Sequence, residues 1–321
     1  MAAAKPLTAW EVHQEVSLRT TSSGIGAATP KTIIQVFQGT VKRVPNHPAY
    51  YTKAPGSSSY TFKTWTQYYA DCRAFAKSLI ALGLAPFDVI NIIGFNSIEW
   101  VTACIGAILG GCIPAGVYTT SNPEACHFIA DHSEAHVVLC DGVAQLEKYV
   151  AIAHKLPVLK ALVVYNDVVP SDLNCSVPVF TFADFLASGS GVDDTALEAR
   201  MNAQKPGNCC TLIYTSGTTG NPKAVMLSHD NLTWTVEAVC QSYEAAGSIL
   251  NQHSNTVSYL PLSHVAAQLF DIYLPITRGL AIYFAQPDAL KGSLGTTLKE
   301  ARPTLFFAVP RVWEKMMEKM I

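Results

Sequence analysis

One stretch of this 321-residue sequence combines residue types that are suited to holding phosphate groups. It covers residues 214–224 (YTSGTTGNPKA) and lies between two apolar stretches. Gly217 and Gly220 allow backbone conformations that other residues avoid, so successive N–H groups can turn toward one anion. Serine and threonine hydroxyls add donors, and Lys223 adds a positive charge that suits phosphate. The predicted phosphate ligands are Thr215, Ser216, Gly217, Thr218, Thr219, Gly220, Asn221, Pro222 and Lys223.

The spacing in this loop differs from that of the P-loop in nucleoside triphosphatases. That motif, G-x-x-x-x-G-K-[ST], places lysine directly after glycine and a hydroxyl residue directly after lysine. Here Asn221 follows Gly220, and Ala224 follows Lys223. An ordinary polar turn is the alternative, because serine, threonine and glycine are common in turns. The eleven-residue string as a whole favours phosphate binding over a turn.

The segments around this loop alternate between strand-like and helix-like patterns, and they must position it. Short apolar runs that are bounded by turn residues predict buried strands. These runs are residues 88–94, 135–141, 159–165, 209–215, 225–227, 257–260, 280–285 and 304–309. Helical spacing predicts helices over residues 62–82, 99–109, 264–276 and 290–301, and further helices that begin near Asp230 and Arg311. The alternation indicates an α/β fold with mainly parallel sheets and helices on both faces.

Residues 100–118 form a charge-free run of almost bilayer-spanning length. Gly110 and Gly111, followed by Pro114, are strong signals for the end of a helix. No lysine or arginine flanks the run to anchor a membrane span. We therefore expect a buried helix over residues 99–109 and then a short strand.

The composition limits the classes of protein to consider. Only 14% of residues are charged and 49% are hydrophobic, which excludes an intrinsically disordered chain. The formal net charge of −2 removes the electrostatic argument for a nucleic-acid partner. Residues 1–30 lack the apolar core of a secretory signal and are expected to form a flexible leader. Nine cysteines without a C-x-x-C motif favour reduced thiols in the cytosol.

Three other groups of polar residues suggest chemistry less strongly. A zinc site is the weaker interpretation of the metal-ligating residue types between Cys126 and Asp141, because the order H-x-E-x-H around Glu134 matches no zinc-protease motif. Ser228, His229 and Asp230 are adjacent in sequence, whereas a hydrolytic triad is assembled across the fold. The charged residues after Pro310 fit a solvated helix face. They are Arg311, Glu314, Lys315, Glu318 and Lys319.

The string YTSGTTGNPKA resembles the signature loop of the AMP-forming acyl-CoA synthetase superfamily. Firefly luciferases and peptide-synthetase adenylation domains also belong to this superfamily. Four further segments resemble long-chain acyl-CoA synthetases, and most closely those of the bubblegum type. They are residues 94–100 (GFNSIEW), 118–126 (YTTSNPEAC), 259–268 (YLPLSHVAAQ) and 309–315 (VPRVWEK). The resemblance extends from about residue 30 to the end of the sequence.

The resemblance implies a fatty acid–CoA ligase with ATP, Mg²⁺ and CoA as cofactor or cosubstrates. A fatty-acid carboxylate would attack the α-phosphate of Mg–ATP, and the CoA thiol would then displace AMP. The loop at residues 215–223 would hold the β- and γ-phosphates, and His264 would lie beside the acyl and adenylate site. The alternative for His264 is a structural role, as the cap of the helix that begins there.

The resemblance also implies a division into subdomains. A first α/β subdomain of an adenylate-forming N-terminal domain is expected at residues 31–205, and a second one, cut short, at residues 206–321. The family's later motifs, Tyr-Gly-x-Thr-Glu and Thr-Gly-Asp, do not occur, and the C-terminal lid domain is expected to be absent. A cytoplasmic protein is implied, with peripheral contact to the endoplasmic reticulum or another membrane as an option that suits a lipid substrate.

Two alternatives to an active ligase remain open at this point. The 321-residue chain could be a catalytically inactive, truncated form, or its activity could be another adenylate-forming reaction of the superfamily. Ala224 raises a separate question, because many relatives have glycine at this position. If the position required a positive φ, alanine would cost about 1 kcal/mol there.

Overall fold

The computed structural model describes residues 6–18, 20–54, 56–57, 59–215 and 221–318. The strands in these residues are β1 (Pro48–Thr52), β2 (Thr61–Thr64), β3 (Val89–Ile93), β4 (Ile113–Val117), β5 (Ala135–Asp141), β6 (Ala161–Tyr165), β7 (Val179–Thr181), β8 (Cys209–Thr215), β9 (Lys223–Ser228), β10 (Asn255–Ser258) and β11 (Ala281–Phe284).

The α-helices in the same residues alternate with these strands over most of the chain. They are α1 (Ile33–Arg43), α2 (Trp65–Ala81), α3 (Ile98–Leu109), α4 (Pro123–His132), α5 (Gly142–Val150), α6 (Phe182–Ser188), α7 (Asp194–Ala203), α8 (His229–Ala245), α9 (Val265–Gln268), α10 (Leu274–Arg278), α11 (Leu294–Ala301) and α12 (Pro310–Glu318). A π-helical turn, Leu269–Tyr273, joins α9 to α10, and short 3₁₀ turns cover Ile25–Ala27, Ala153–Lys155 and Ala289–Lys291.

The larger sheet has the strand order β7-β6-β5-β3-β4-β8-β9. All neighbours in it are parallel except β8 and β9, which form an antiparallel pair at one edge. Every residue of β3, β4 and β6 is buried. Strands that are covered on both faces need such continuous apolar runs, and this is why their sequences predicted them well.

Helices cover both faces of the larger sheet, and alternate residues of β3 show this directly. Ile90 and Ile92 belong to a core that includes Phe75 of α2, while Val89 and Ile93 belong to a second core that includes Leu146 of α5. Successive strand residues point to opposite faces, so the two cores lie on opposite sides of the sheet. The predicted α/β fold with mainly parallel sheets and helices on both faces is confirmed.

The smaller sheet has the order β10-β11-β1-β2 and takes its strands from two distant parts of the chain. Strand β1 is parallel to β11 and antiparallel to β2. Aromatic side chains fill the space between this sheet and helices α1 and α2. Tyr50, Trp65, Tyr68 and Phe37 are all fully buried, and the Tyr50 and Tyr68 rings meet edge to face at 4.8 Å.

The charge-free run at residues 100–118 forms most of the buried helix α3, a turn, and strand β4, as predicted. Ser97 caps α3 by accepting a hydrogen bond from the Trp100 amide at 3.2 Å. Residues 100–109 of this helix are all buried. Among the described residues, we find no helix with the length and apolar character required to cross a bilayer.

Two expectations about secondary structure differ from the structure. The helix predicted over residues 62–82 begins only at Trp65, because residues 61–64 pair with β1 as strand β2. Residues 304–309, all of them described, do not form the expected strand. The amides of Thr304 and Leu305 both donate to the single carbonyl of Asn255 at 3.1 Å, so no ladder can extend.

The subdomains expected at residues 31–205 and 206–321 stay a prediction. That boundary does not separate the two sheets, because β8 pairs with β4 and thus continues the larger sheet across it. The smaller sheet likewise combines β1 and β2 with β10 and β11. Each sheet therefore combines strands from both sides of the expected boundary.

The described part of the leader contacts the body of the protein. The Val16 amide donates to the Gly207 carbonyl at 3.1 Å, and a side-chain atom at Gly207 would lie only 2.4 Å from the Val16 carbonyl oxygen. Glu15 and Lys205 form an ion pair at 3.3 Å beside this contact. Glycine at position 207 therefore lets the leader approach the segment that enters β8.

Candidate active site

The predicted phosphate loop joins β8 to β9 in an antiparallel hairpin. Thr215 pairs with Lys223, and Tyr214 pairs with Ala224. The predicted ligands Ser216, Gly217, Thr218, Thr219 and Gly220 lie outside the described residues. The pairing brings Thr215 and Lys223, the first and last predicted ligands, together at the base of the loop. Both are exposed, so the hydroxyl and the ammonium group are accessible to a ligand.

Strand pairing also answers the question about Ala224. This residue continues β9 opposite Tyr214, and it does not belong to the described residues with a positive φ. Its side chain packs against the core on one face of the larger sheet. The position thus accepts alanine without backbone strain, and the cost considered for it does not arise.

The base of the loop is anchored by Tyr214. Its ring is buried, and its hydroxyl lies 2.9 Å from Nδ1 of His132 on α4. Burial raises the pKa of Tyr214 to about 12, so the phenol stays neutral at physiological pH. The strand that leads into the loop is therefore attached to a neighbouring helix by a polar bond as well as by packing.

His264 lies in the loop between β10 and the helical segment that starts with α9. It is exposed, and its Nδ1 accepts a hydrogen bond from the Ala266 amide at 3.2 Å. Because Nδ1 accepts, the proton of the neutral ring is on Nε2. The capping role and a role in a site are therefore compatible: one ring nitrogen caps the helix, and Nε2–H can donate to an anion.

The two histidines of the H-x-E-x-H order considered for zinc have other partners. His132 bonds to Tyr214, and His136 lies 2.9 Å from the Glu134 carbonyl oxygen and 3.4 Å from the Asp88 carboxylate. Within the part of the chain that the structure describes, His, Cys, Asp and Glu side chains do not assemble in groups of three or more that could hold a metal ion. Proteins usually hold Mg²⁺ with one or two carboxylates together with substrate phosphates, and the described base of the phosphate loop offers a hydroxyl and an ammonium group instead.

Ser228, His229 and Asp230 have separate structural environments. Ser228 caps α8 through a bond to Asn231. The ring of His229 is fully buried, where Nδ1 accepts from the Ile33 amide at 3.2 Å and Nε2 lies 3.1 Å from the Gln204 side-chain oxygen. Burial lowers the pKa of His229 to about 3, so the ring is a neutral structural group. The adjacency of these three residues has no catalytic meaning.

Asp271, which lies in the π-helical turn, was not among the site residues predicted from the sequence. The side chain is 5% exposed, and burial raises its pKa to about 8, with a hydrogen bond from Ser258 opposing the increase. Its sequence signal was an acidic residue inside an otherwise apolar helical run. π-helical turns often occur near functional sites, and this one follows His264 by five residues.

The switch point of the larger sheet is closed. In an open α/β sheet, ligands commonly bind between the carboxyl ends of the strands where the chain reverses direction across the sheet. Here the Asp141 carboxylate accepts from the Phe95 amide at 2.9 Å. A side chain at Gly94 would lie 1.8 Å from the Tyr165 hydroxyl, so Tyr165 covers the end of β3. Accessible polar groups suited to a phosphate, those of Thr215 and Lys223, lie at the end of β8 and the start of β9.

Comparison with known proteins agrees with the loop and the fold. The family model described as "AMP-binding enzyme" matches residues 37–320. The long-chain-fatty-acid–CoA ligase ACSBG2 of Xenopus laevis is 46% identical over 97% of this chain and 42% of its own length. The human ACSBG2 ligase is 43% identical over 95% of this chain and 44% of its own length. The chain thus spans less than half the length of these curated relatives.

Solved structures share the fold at low sequence identity. The adenylation domain of a carboxylate reductase from Mycobacterium chelonae has a TM-score of 0.76, with 19% identity over 94% of this chain and 50% of that one. The anthranilate CoA ligase AuaEII, solved with anthranoyl-AMP, has a TM-score of 0.72, with 18% identity over 89% of this chain and 51% of that one. From the match over residues 37–320 we conclude that the chain belongs to the AMP-binding enzyme family, and its most similar curated relatives include bubblegum-type long-chain fatty acid–CoA ligases.

Proposed function

We propose that this chain forms part of a long-chain fatty acid–CoA ligase. The reaction converts ATP, a fatty acid and CoA into acyl-CoA, AMP and pyrophosphate through an acyl-adenylate. The observation that carries the proposal is the 46% identity to a named ligase of this type over 97% of the chain. The accessible hydroxyl and lysine at the base of the β8–β9 hairpin support it, because both suit phosphate.

In the first step, a carboxylate oxygen of the fatty acid attacks the α-phosphorus of Mg–ATP, and pyrophosphate leaves. Negative charge develops on the bridging oxygen as its bond to phosphorus breaks. Donors that are already in place stabilise such charge without having to reorganise. Lys223 and the hydroxyl of Thr215 supply them at the β- and γ-phosphates, together with the rest of residues 215–223.

His264 is the proposed partner of the acyl group and the adenylate. Its Nε2–H can donate to a carboxylate or phosphate oxygen while Nδ1 caps α9. In the second step, the CoA thiolate attacks the acyl carbonyl carbon and AMP leaves with the bonding electrons. We propose a cytoplasmic location, which is supported by the nine cysteines of the structure, all present as free thiols.

The test supplies fatty acids of increasing chain length with Mg–ATP, with and without CoA. Pyrophosphate release that depends on the fatty acid measures the first step, and thioester formation measures the second. The Lys223→Ala variant should lose roughly 10²-fold in the rate of the first step, as expected when one charge-stabilising donor is removed. The Lys205→Ala variant is the matched control, because Lys205 is equally a surface lysine but pairs with Glu15 of the leader.

The outcomes separate the proposal from its alternatives. Acyl-adenylate that accumulates without transfer to CoA would point to another adenylate-forming reaction. Absence of fatty-acid-dependent pyrophosphate release from both this chain and a longer version that contains it would refute the ligase function.

A further inference from the structure

The short loop at residues 259–263 joins β10 to α9 and carries His264 at its end. Two carbonyl groups of this loop, those of Leu260 and Leu262, accept hydrogen bonds from side-chain amides rather than from backbone groups. Both bonds measure 2.8 Å. The shape of this loop therefore depends on two side chains that lie outside it, those of Asn96 and Gln268.

Gln268 holds the Leu262 carbonyl. Its side chain is 1% exposed, and Nε2 donates to that carbonyl from within the first helical turn after His264. The hydroxyl of Tyr273 donates to Oε1 of Gln268 at 3.3 Å, and Tyr273 is itself buried. Because a carbonyl can only accept, this pair of bonds permits one orientation of the amide. Gln268 is also hydrogen-bonded through its backbone amide to the His264 carbonyl at 3.1 Å.

Asn96 holds the Leu260 carbonyl from the other sheet. It follows β3 and directly precedes Ser97, the cap of α3. Its Nδ2 donates one hydrogen to the Leu260 carbonyl and the other to the Ser258 hydroxyl, each at 2.8 Å. One buried amide thus attaches the end of β10 and the start of the loop to the larger sheet.

Gly116 supports the loop from below. A side-chain atom at this position in β4 would lie 2.7 Å from Cα of Ser263, the residue before His264. The contact is with backbone, which cannot move aside as the end of a flexible side chain can. Strand β4 is the neighbour of β8, and Gly116 pairs with Ile213. The close approach therefore places the His264 loop directly on the strand beside the one that leads into the phosphate loop.

We propose that Gln268, Asn96 and Gly116 are positioning residues that together set the place of His264 relative to the phosphate loop. The side-chain amides of Asn96 and Gln268 hold the loop carbonyls on either side of Pro261. Because Gly116 has no side chain, the loop can lie close to β4. The importance of this placement for turnover rests on the proposed ligase function. The position of the His264 ring can be measured without turnover.

The experiment observes the imidazole ring of His264 by ¹³C–¹H NMR, with its signal identified by its disappearance in the His264→Gln variant. Gln268→Leu should displace or broaden this signal, because the loop loses the donor to the Leu262 carbonyl. Gln204→Leu is the matched control. Gln204 also donates to a backbone carbonyl, that of Ile108 at 2.8 Å, and its Oε1 is likewise paired, with His229. The control should leave the His264 signal in place.

Tyr273→Phe is a milder second variant, which keeps the amide donor and removes only the hydroxyl that orients it. It should displace the His264 signal in the same direction by a smaller amount. An unchanged His264 signal in both Gln268→Leu and Tyr273→Phe would overturn the proposal. So would an equal displacement in the Gln204→Leu control, since that would indicate a general loss of packing.

Kinetics give the second readout. In Gln268→Leu, the rate constant for adenylate formation should fall by roughly 10²-fold, while the KM for ATP changes little, as expected for a misplaced group. An unchanged rate constant would count against the positioning role. If neither the unaltered chain nor the longer version that contains it shows fatty-acid-dependent pyrophosphate release, the proposed function fails, and the NMR comparison still decides the positioning of His264.

Discussion

Replacing Asp271 by asparagine should stabilise the protein above neutral pH and should remove a loss of stability that otherwise occurs as the pH rises. The carboxyl group is buried in the π-helical turn, where burial raises its pKa from 3.8 to about 8. The folded chain therefore keeps a proton that the unfolded chain releases. Stability must fall as the pH rises from about 4 to about 8, because the unfolded state binds fewer protons throughout that interval.

His229 contributes the opposite dependence. Burial lowers its pKa from 6.5 to about 3, so the folded chain binds fewer protons than the unfolded chain between these values. Its contribution to stability is lost as the pH falls from about 6.5 to about 3. Each group changes the free energy of unfolding by about 1.4 kcal/mol per pH unit in its own interval. The two slopes therefore cancel between about pH 4 and 6.5, and only the decline from Asp271 remains between pH 6.5 and 8.

These intervals give the expected magnitudes. The unaltered protein should lose roughly 2 kcal/mol between pH 6.5 and 8 from this source. Asp271→Asn should show no such loss, because asparagine retains an oxygen that can accept from Ser258 and has no titrating proton. In the same variant, the contribution of His229 is no longer cancelled. Its free energy of unfolding should therefore increase by roughly 3 kcal/mol between pH 4 and 6.5.

The assay is urea unfolding at half-unit steps from pH 4 to 8, followed by tryptophan fluorescence. Asp172→Asn is the control, because Asp172 is exposed and its replacement removes an equal charge. An Asp271→Asn curve that runs parallel to that of the unaltered protein from pH 6.5 to 8 would refute the reasoning.

Three further predictions concern single side chains. Gly106→Ala should destabilise the protein, because the added methyl group would lie 2.9 Å from the Cys72 carbonyl oxygen of α2. This clash should outweigh the helix preference of alanine over glycine, which is worth about 1 kcal/mol. A higher urea midpoint for the variant would contradict the prediction. Ala224→Gly should lower the free energy of unfolding by roughly 0.5–1 kcal/mol, since glycine weakens a strand where no positive φ is needed, and a stabilised variant would show that the strand conformation is not required. Thr64→Ala should cost about 1 kcal/mol by removing the cap of α2, whereas Thr61→Ala, on the exposed end of β2, serves as its comparison in the same unfolding measurements.

The strands and helices that the sequence predicted well are those in which local features, such as a buried apolar run or a helix cap, determine the secondary structure. Residues 135–141 form β5 as predicted, because Val137 and Leu139 pack in one core while Val138 and Cys140 pack in the other. The helix predicted to begin near Asp230 begins at His229, directly after its cap Ser228. Residues 304–309 have similar composition, but no neighbouring strand is in register with them, so they remain without a ladder. Strand formation depends on a partner that local sequence does not reveal.

The candidate site was predictable in its residue types and not in its arrangement. The string at residues 214–224 indicated phosphate binding by composition alone. The amide of Asn96 is more than 160 residues away from the loop carbonyl that it holds, and no local pattern connects the two. Asp271 had a local signal, an acid within an apolar run, but its burial depends on the packing of the π-helical turn against β10. Long-range hydrogen bonds and burial are the parts that required the structure.

The smaller sheet has a consequence for the order in which the chain can fold during synthesis. Strand β1 needs β11 as its parallel neighbour, and the Lys53 carbonyl accepts from the side chain of Gln286, which follows 233 residues later. At typical rates of translation, that interval lasts roughly ten to fifty seconds. Over this period β1 and β2 have only each other, and a two-stranded hairpin is marginally stable in water. The strands of the larger sheet, which include β8 and β9, are all synthesised before β10 and β11. The phosphate-loop hairpin can therefore pair with its sheet while the edge of β1 that later pairs with β11 is still open, and an unpaired strand edge in a nascent chain is prone to aggregation.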